Sequence, residues 1–199
     1  MNWLRTPLQE PEPLLNGDLL LYHQAIWNPD LLYRHLLKSL PWQSGQIRLF
    51  GKSHTIPRLQ CWMASATEEY CYSGQNLPIA PWDDELEWLR GALNQALYTQ
   101  FNSVLCNLYR SGEDKMGWHS DDEPELGPTP IIASISLGAE RDFAVRKKGE
   151  SKQYGTLPLP HGSLLIMNRG MQKRWQHALP ARKTIDSARI NLTFREIVR

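Results

Sequence analysis

The chain has 199 residues, 41% of them apolar, and a formal net charge of +1, which suits one domain with a sizeable core. No apolar run approaches the ~18 residues of a membrane helix, and the opening MNWLRTPLQEPEPLL lacks the basic-then-apolar pattern of a signal peptide. The charge is unevenly placed: residues 1–140 hold 9 Lys+Arg against 17 Asp+Glu, a net −8, and residues 141–199 hold 13 against 4, a net +9. That asymmetry fits either a basic binding surface or a merely dipolar, solvated protein.

In chain order, residues 1–17, rich in Pro, Glu and Leu, read as a loosely held arm. Asn28-Pro29 has the form of a helix N-cap followed by Pro, and Leu31, Leu32, Leu36 and Leu40 carry an apolar stripe as far as Pro41. Strands are expected at 46–50 and 57–63. A second helix is expected within 82–101, with acids in its first turn and Leu86, Leu89, Leu93 and Leu97 on one face. Further strands follow at 102–110, 131–138, 141–148, 163–168, 174–179 and 188–197. Short, closely spaced strands punctuated by Gly and Pro favour a β-sandwich or jelly roll over a parallel α/β sheet. No repeat or domain boundary is visible, so a single domain over 1–199 is expected. It divides into an N-terminal extension with a helix (1–45), a hairpin and lid (46–80), a supporting helix (81–101) and a β core (102–199).

Cys61, Cys71 and Cys106 are odd in number and show no C-x-x-C spacing. Neither a disulfide framework nor a cysteine zinc site follows, and a reducing, cytoplasmic setting is expected. All three read as small buried hydrophobes.

The segment 117-GWHSDDEPE-125 places His119 and Asp121 two residues apart, on one side of an extended backbone. An imidazole and a carboxylate there supply two of the three ligands of a 2-His-1-carboxylate site, which leaves positions open on Fe(II). The third ligand must be a histidine well downstream. His177, in RWQHAL, is the better placed; His161, at a Pro-His-Gly turn, competes. Trp118 and Trp175 flank these ligands and are expected to wall the pocket. His23, His35 and His54 have no partners at ligand spacing.

The segment 188-ARINLTFREI-197 alternates Arg189, Asn191, Thr193 and Arg195 with Ile190, Leu192 and Phe194. One reading is an edge strand with a wet face. The other is a pocket for a polyanion, since a bidentate guanidinium matches a carboxylate better than an ammonium does.

Taken together, H-x-D at His119 and Asp121, the later His177, and R-x-N-x-T-x-R from Arg189 to Arg195 resemble the AlkB family of Fe(II)/2-oxoglutarate-dependent dioxygenases, its DNA-repair members above all. The likeness runs from about residue 46 onward. It implies a mainly β (α+β) fold, a double-stranded β-helix or jelly roll with N-terminal helices packed on it. It also implies an iron held by His119, Asp121 and His177, with 2-oxoglutarate and O2 as co-substrates. By position, Arg189 pairs with the remote carboxylate of 2-oxoglutarate and Arg195 holds the metal-proximal end beside Asp121. Asn107 and Tyr109 hydrogen-bond the same molecule, and Asn191 and Thr193 line its pocket.

The resemblance extends to substrate handling. The stretch 49-LFGKSHTIPR-58 is similar to a duplex-probing hairpin, with Phe50 as the wedge ahead of Gly51, and Lys52 near a phosphate; a lone Phe-Gly is otherwise an ordinary hairpin core pair. In 69-EYCYSG-74, Tyr70 and Tyr72 match a substrate lid that stacks on the flipped base, and Cys71 between them touches it. Asp122 is expected to contact the base edge, while Glu123 anchors the loop. Arg146, Lys147, Lys148 and Lys152 in one loop, with Arg182 and Lys183 in another, fall where relatives hold the DNA backbone. The implied partner is alkylated DNA, duplex or single-stranded, or RNA, with no membrane, and the enzyme is expected to act as a monomer. The implied reaction is oxidative demethylation of 1-methyladenine and 3-methylcytosine, releasing formaldehyde, succinate and CO2. Its rivals are an RNA demethylase, a protein or small-molecule hydroxylase, and a non-catalytic damage-binding protein holding zinc on the same ligands.

Overall fold

The computed structural model describes residues 2–49, 52–65, 71–72, 75–76 and 78–198. The first half holds β1 (Glu12–Leu14), β2 (Leu19–Tyr22), α1 (Pro29–Ser39), β3 (Gln43–Leu49), β4 (Lys52–Ala64), the short pair β5 (Cys71–Tyr72) and β6 (Gln75–Asn76), and α2 (Asp84–Leu97). There follow β7 (Ser103–Tyr109), β8 (Met116–His119), β9 (Ile132–Gly138), β10 (Arg141–Lys147), β11 (Gly155–Leu159), β12 (Ser163–Met167), α3 (Met171–Arg174), β13 (Trp175–Leu179) and β14 (Arg189–Arg195).

Two antiparallel sheets make a jelly roll. The larger has the order β1-β2-β12-β9-β14-β7-β4-β3 and the smaller β11-β10-β13-β8. Strands far apart in sequence lie side by side, which is how residues 107, 119, 177 and 189 reach one place. α1 and α2 pack on the outer face of the larger sheet: Leu32, Leu36, Leu86, Leu89 and Leu93 meet Val104, Cys106, Ile190, Leu192 and Phe194 in one buried cluster. Each such fully buried aliphatic side chain stabilises the fold by ~1.5–3 kcal/mol. The inner faces of the two sheets enclose a second cluster, with Phe143, Val145, Leu165, Met167 and Trp175.

β14 explains this layering. It pairs with β9 on one side and β7 on the other, so it is a central strand and has no wet edge. Its Ile190, Leu192 and Phe194 are fully buried towards the helices, and the period of two turns the polar set inward, between the sheets.

Some local expectations are corrected. The first residues do not form a loose arm: Trp3 and Leu4 are core residues, Leu4 bridges Ile26, and Glu12–Leu14 pairs with β2. Apolar anchors override the Pro-rich composition there. Asn28 precedes α1 with a left-handed backbone (φ 45°) and makes no side-chain cap bond; its carbonyl instead accepts from the N–H of Leu31 and Leu32. Leu31 of the expected stripe is exposed. In α2 the acidic first turn does what its chemistry predicts, for the Asp83 carboxylate caps the N–H groups of Glu85 and Leu86. Short β1, β2 and β8 escape a reading by alternation because three or four residues hold too little pattern, and Pro158 inside β11 argues against a strand there.

Candidate metal centre and its pocket

β8 and β13 pair so that His119 stands opposite His177, and their ring centroids are 4.2 Å apart. Asp121 follows β8 by two residues and turns its carboxylate between them: Oδ1 lies 3.9 Å from His119 Nε2 and Oδ2 lies 3.9 Å from His177 Nε2. One ligand atom from each residue falls within 4.8 Å of the others, a set that can hold a metal ion. The His119 tautomer suits it. His119 Nδ1 lies 2.9 Å from the Gly117 carbonyl, which only accepts, so Nδ1 carries the proton and Nε2 keeps its lone pair. His161 does not join the cluster: its Nδ1 accepts from the Gly138 N–H at 2.8 Å, which fixes the ring elsewhere.

Burial tunes all three groups. It pushes the His177 imidazole down to about 3, with His119 beside it adding to the shift, and it lowers His119 as well. Both rings are therefore neutral at pH 7, as ligation requires. Burial alone would raise the Asp121 carboxyl, but Arg195, His177 and His119 together hold it down to about 2. The backbone N–H of Asp121 donates to Gln172 Oε1 at 2.9 Å, and Phe143 stacks on the His177 ring at 5.0 Å.

The cavity beside this cluster is lined by Asn107, Tyr109, Ser134, Arg189, Asn191, Thr193 and Arg195 on the larger sheet, and by Met116, Phe143, Leu159 and Leu179 across from them. Arg189 is 2% exposed. Its Nη2 donates to Ser136 Oγ at 2.9 Å, its guanidinium lies 5.5 Å from the Tyr109 ring centre, and its buried Nε has no hydrogen-bond partner. Burial draws its pKa down to about 10. Among the described residues no carboxylate pairs with it, so a buried cation faces the cavity without a counter-charge. Such a group is costly unless an anion completes it.

Asn191 is engaged inside the sheet. Its Nδ2 donates to Ser134 Oγ and the Ile135 carbonyl, and its Oδ1 accepts from Thr193. It braces the pocket wall. Asn107 is held differently: its Oδ1 accepts from Arg58 Nε at 2.9 Å and Gln60 Nε2 at 3.1 Å, which leaves its NH2 for the cavity.

Arg58, Gln60, Arg141 and Gln172 escaped the sequence reading. The alternation in 57-PRLQCWM-63 was a usable signal for the first two, since it puts two polar residues on the face that Trp62 shares. Arg141, 1% exposed, donates to the carbonyls of Ser111, Asp114 and Pro180 and pins those loops. For Gln172, in a short helix after a turn, no pattern existed.

The rim carries the remaining candidates. Asp122 is paired with Lys148, both half exposed. Glu123 is partly buried, and desolvation followed by the charge of Asp121 raises its carboxyl pKa. Arg146 donates to Gln176 Oε1 and stacks over Trp118 at 4.6 Å. Lys147, Arg182 and Lys183 are exposed. Trp118 and Trp175 do not line the cavity; Trp175 donates its indole N–H to Asp18 instead. Phe50, Gly51 and Tyr70 lie outside the described residues. Lys52 opens β4 and Cys71 and Tyr72 form β5, but their side chains lie outside the description too.

A jelly roll with two imidazoles and a carboxylate at one focus and buried guanidinium groups beside them defines a class of enzyme, and the chain belongs to the 2OG-Fe(II) oxygenase superfamily, whose family model matches residues 26–195. Within it the AlkB group is the match. The chain is 41% identical over 179 residues to the DNA oxidative demethylase ALKBH2 of Homo sapiens, an alignment that covers 85% of this chain and 69% of that one. It is 38% identical over 224 residues to the DNA oxidative demethylase ALKBH2 of Arabidopsis thaliana, with 96% and 70% covered. To the alpha-ketoglutarate-dependent dioxygenase alkB homolog 3 of Homo sapiens it is 38% identical over 177 residues, with 84% and 61% covered. The solved structure of OsALKBH1 shares the fold, with a TM-score of 0.58 at 16% identity, covering 96% of this chain and all of that one. The enzyme is thus a dioxygenase that uses Fe(II), 2-oxoglutarate and O2. The donor set fits iron, and the uncompensated Arg189 fits a dicarboxylate.

Proposed function

We propose that this enzyme repairs N-alkylated bases in DNA by oxidative demethylation, with 1-methyladenine and 3-methylcytosine as substrates and formaldehyde, succinate and CO2 as products. The observation that carries the chemistry of this reading is the buried Arg189, unpaired by any carboxylate among the described residues, in the same cavity as His119, Asp121 and His177. A zinc-holding binding protein has no use for that cation. The relatives named as DNA oxidative demethylases support the substrate class.

In this reading His119, Asp121 and His177 hold the iron, which when bound supplies the oxidising chemistry with O2. Arg189 clamps the remote carboxylate of 2-oxoglutarate. The Asn107 amide, turned by Arg58 and Gln60, and the Tyr109 hydroxyl bind the same molecule, and Arg195 fixes the end nearest Asp121. Asn191 and Thr193 hold the wall rigid. Burial of Asn107, Tyr109, Arg189 and Arg195 keeps bulk water from these contacts, which strengthens each of them. Phe50, Gly51 and Lys52 probe the duplex, and Tyr70, Cys71 and Tyr72 cover the flipped base, on the resemblance of those segments. Asp122 faces the base edge. Arg146, Lys147, Lys148, Arg182 and Lys183 neutralise phosphates, which position the strand without specifying sequence.

The test is mass spectrometry of methylated oligonucleotides, single-stranded and duplex, after incubation with Fe(II) and 2-oxoglutarate. Loss of one methyl mass with matching formaldehyde is expected, and none from His119→Ala. Unchanged methylated bases in every oligonucleotide, alongside substrate-independent turnover of 2-oxoglutarate, would remove nucleic acid from the proposal.

A further inference from the structure

The connection between β10 and β11 presents an aromatic ring that the site chemistry does not use. Tyr154 is 64% exposed. Its ring stands edge-on against Trp175, with centroids 4.9 Å apart and planes at 68°. Trp175 is itself buried and anchored: its indole N–H donates to Asp18, whose carboxylate is clamped by Arg174. The phenol is therefore backed by a firm base while much of its surface faces water.

The connection is also tied close to the metal centre. The Tyr154 N–H donates to the Val145 carbonyl at 2.8 Å, and Val145 stands opposite His177 in the β10–β13 register. At its other end Lys148 donates its N–H to the Arg174 carbonyl and pairs its ammonium with Asp122, next to the ligand Asp121. Near it in sequence, Lys147, Lys148 and Lys152 are exposed, as is Lys173 two residues before Trp175, against Glu150 as the one acid within 148–154 and Asp122 paired with Lys148. The ring offers one aromatic face beside positive charge rather than a contiguous apolar patch. It suits a polyanion with flat apolar faces.

We propose that Tyr154 is a stacking platform for a nucleobase of the target strand, next to the nucleotide under repair, with the nearby lysines holding the adjoining phosphates. This rests on the reading of the substrate as nucleic acid and adds the residue that holds the neighbouring base. Base–aromatic stacking tolerates any sequence, since every base has a π-face. It would grip an unpaired strand without competing with recognition of the lesion.

The experiment is fluorescence anisotropy with a labelled, unmodified oligothymidylate of about 15 nucleotides, a length that reaches beyond the site. The full chain is compared with Tyr154→Ala and Tyr154→Trp at several salt concentrations. Tyr154→Ala is expected to weaken binding about ten-fold, with the salt dependence unchanged because a neutral contact releases no counterions. Tyr154→Trp is expected to bind as tightly as the natural chain or tighter. Affinity of Tyr154→Ala within two-fold of the natural chain overturns the platform, as does an equal loss in Tyr154→Trp. A natural chain that demethylates methylated oligonucleotides yet shows no ring-dependent binding sinks the platform alone. One that neither binds the strand nor demethylates sinks the functional reading and the platform together.

Discussion

Arg195 donates from Nη2 to Asp121 Oδ1 at 3.0 Å, and both side chains are nearly inaccessible to solvent. This one bond joins the carboxylate of the metal cluster to the strand that lines the co-substrate cavity. It holds Asp121 ionised despite burial, and it fixes which oxygen remains for a metal. Arg195→Ala is expected to weaken Mn(II) binding by about ten-fold or more, the size of effect seen when partners of metal ligands are removed, and to weaken 2-oxoglutarate binding as well. Anaerobic calorimetry reads both. Loss of only one of the two affinities would show that the sites are not coupled through this residue.

Arg189 sits at the far end of the same polar face. Arg189→Met is expected to raise the KM for 2-oxoglutarate by roughly a hundred-fold, since a desolvated charge pair is worth about 2–5 kcal/mol when one partner is lost. Arg189→Lys should recover only part of this, because an ammonium cannot make the two-pronged contact. Steady-state kinetics at varied 2-oxoglutarate distinguish the two variants, and full recovery by lysine would show that charge alone is read.

Gln172 accepts from the Asp121 N–H and donates to the Met167 sulfur while buried. It places the carboxylate without touching a metal. Gln172→Leu leaves the Asp121 N–H buried and unsatisfied, at a cost of about 1–3 kcal/mol. A drop in melting temperature is expected, together with a smaller rise in that temperature on adding Mn(II). An unchanged Mn(II)-dependent rise would limit Gln172 to a structural role.

Acid should destabilise the metal-free fold early. His177 is held down to about 3 and His119 is lowered, both first through burial. In the unfolded chain each returns to near its ordinary value of 6.5. Between those limits the unfolded state takes up protons that the folded state refuses, so stability falls as pH falls. Asp121, held at about 2 against an ordinary 3.8, adds a further loss below pH ~4. Urea midpoints of chelator-treated protein at pH 7, 5 and 4 should decline stepwise, and His177→Asn should flatten the upper part of that decline. Equal midpoints at pH 7 and 5 in the natural chain would contradict it.

Much of this was legible before any fold was known. Alternation in 188–197 separates Ile190, Leu192 and Phe194 from Arg189 and Arg195, because a strand has a period of two and burial sorts the faces. The H-x-D spacing puts His119 and Asp121 on one side for the same reason. What a local pattern cannot carry is which distant strand comes alongside. The antiparallel pairing of β8 with β13 chose His177 over His161, the central place of β14 turned two arginines inward, and β4 beside β7 brought Arg58 and Gln60 onto Asn107. Those outcomes depend on contacts between residues dozens of positions apart. They are decided by how the sheets close around a shared core, and no window of sequence contains that information.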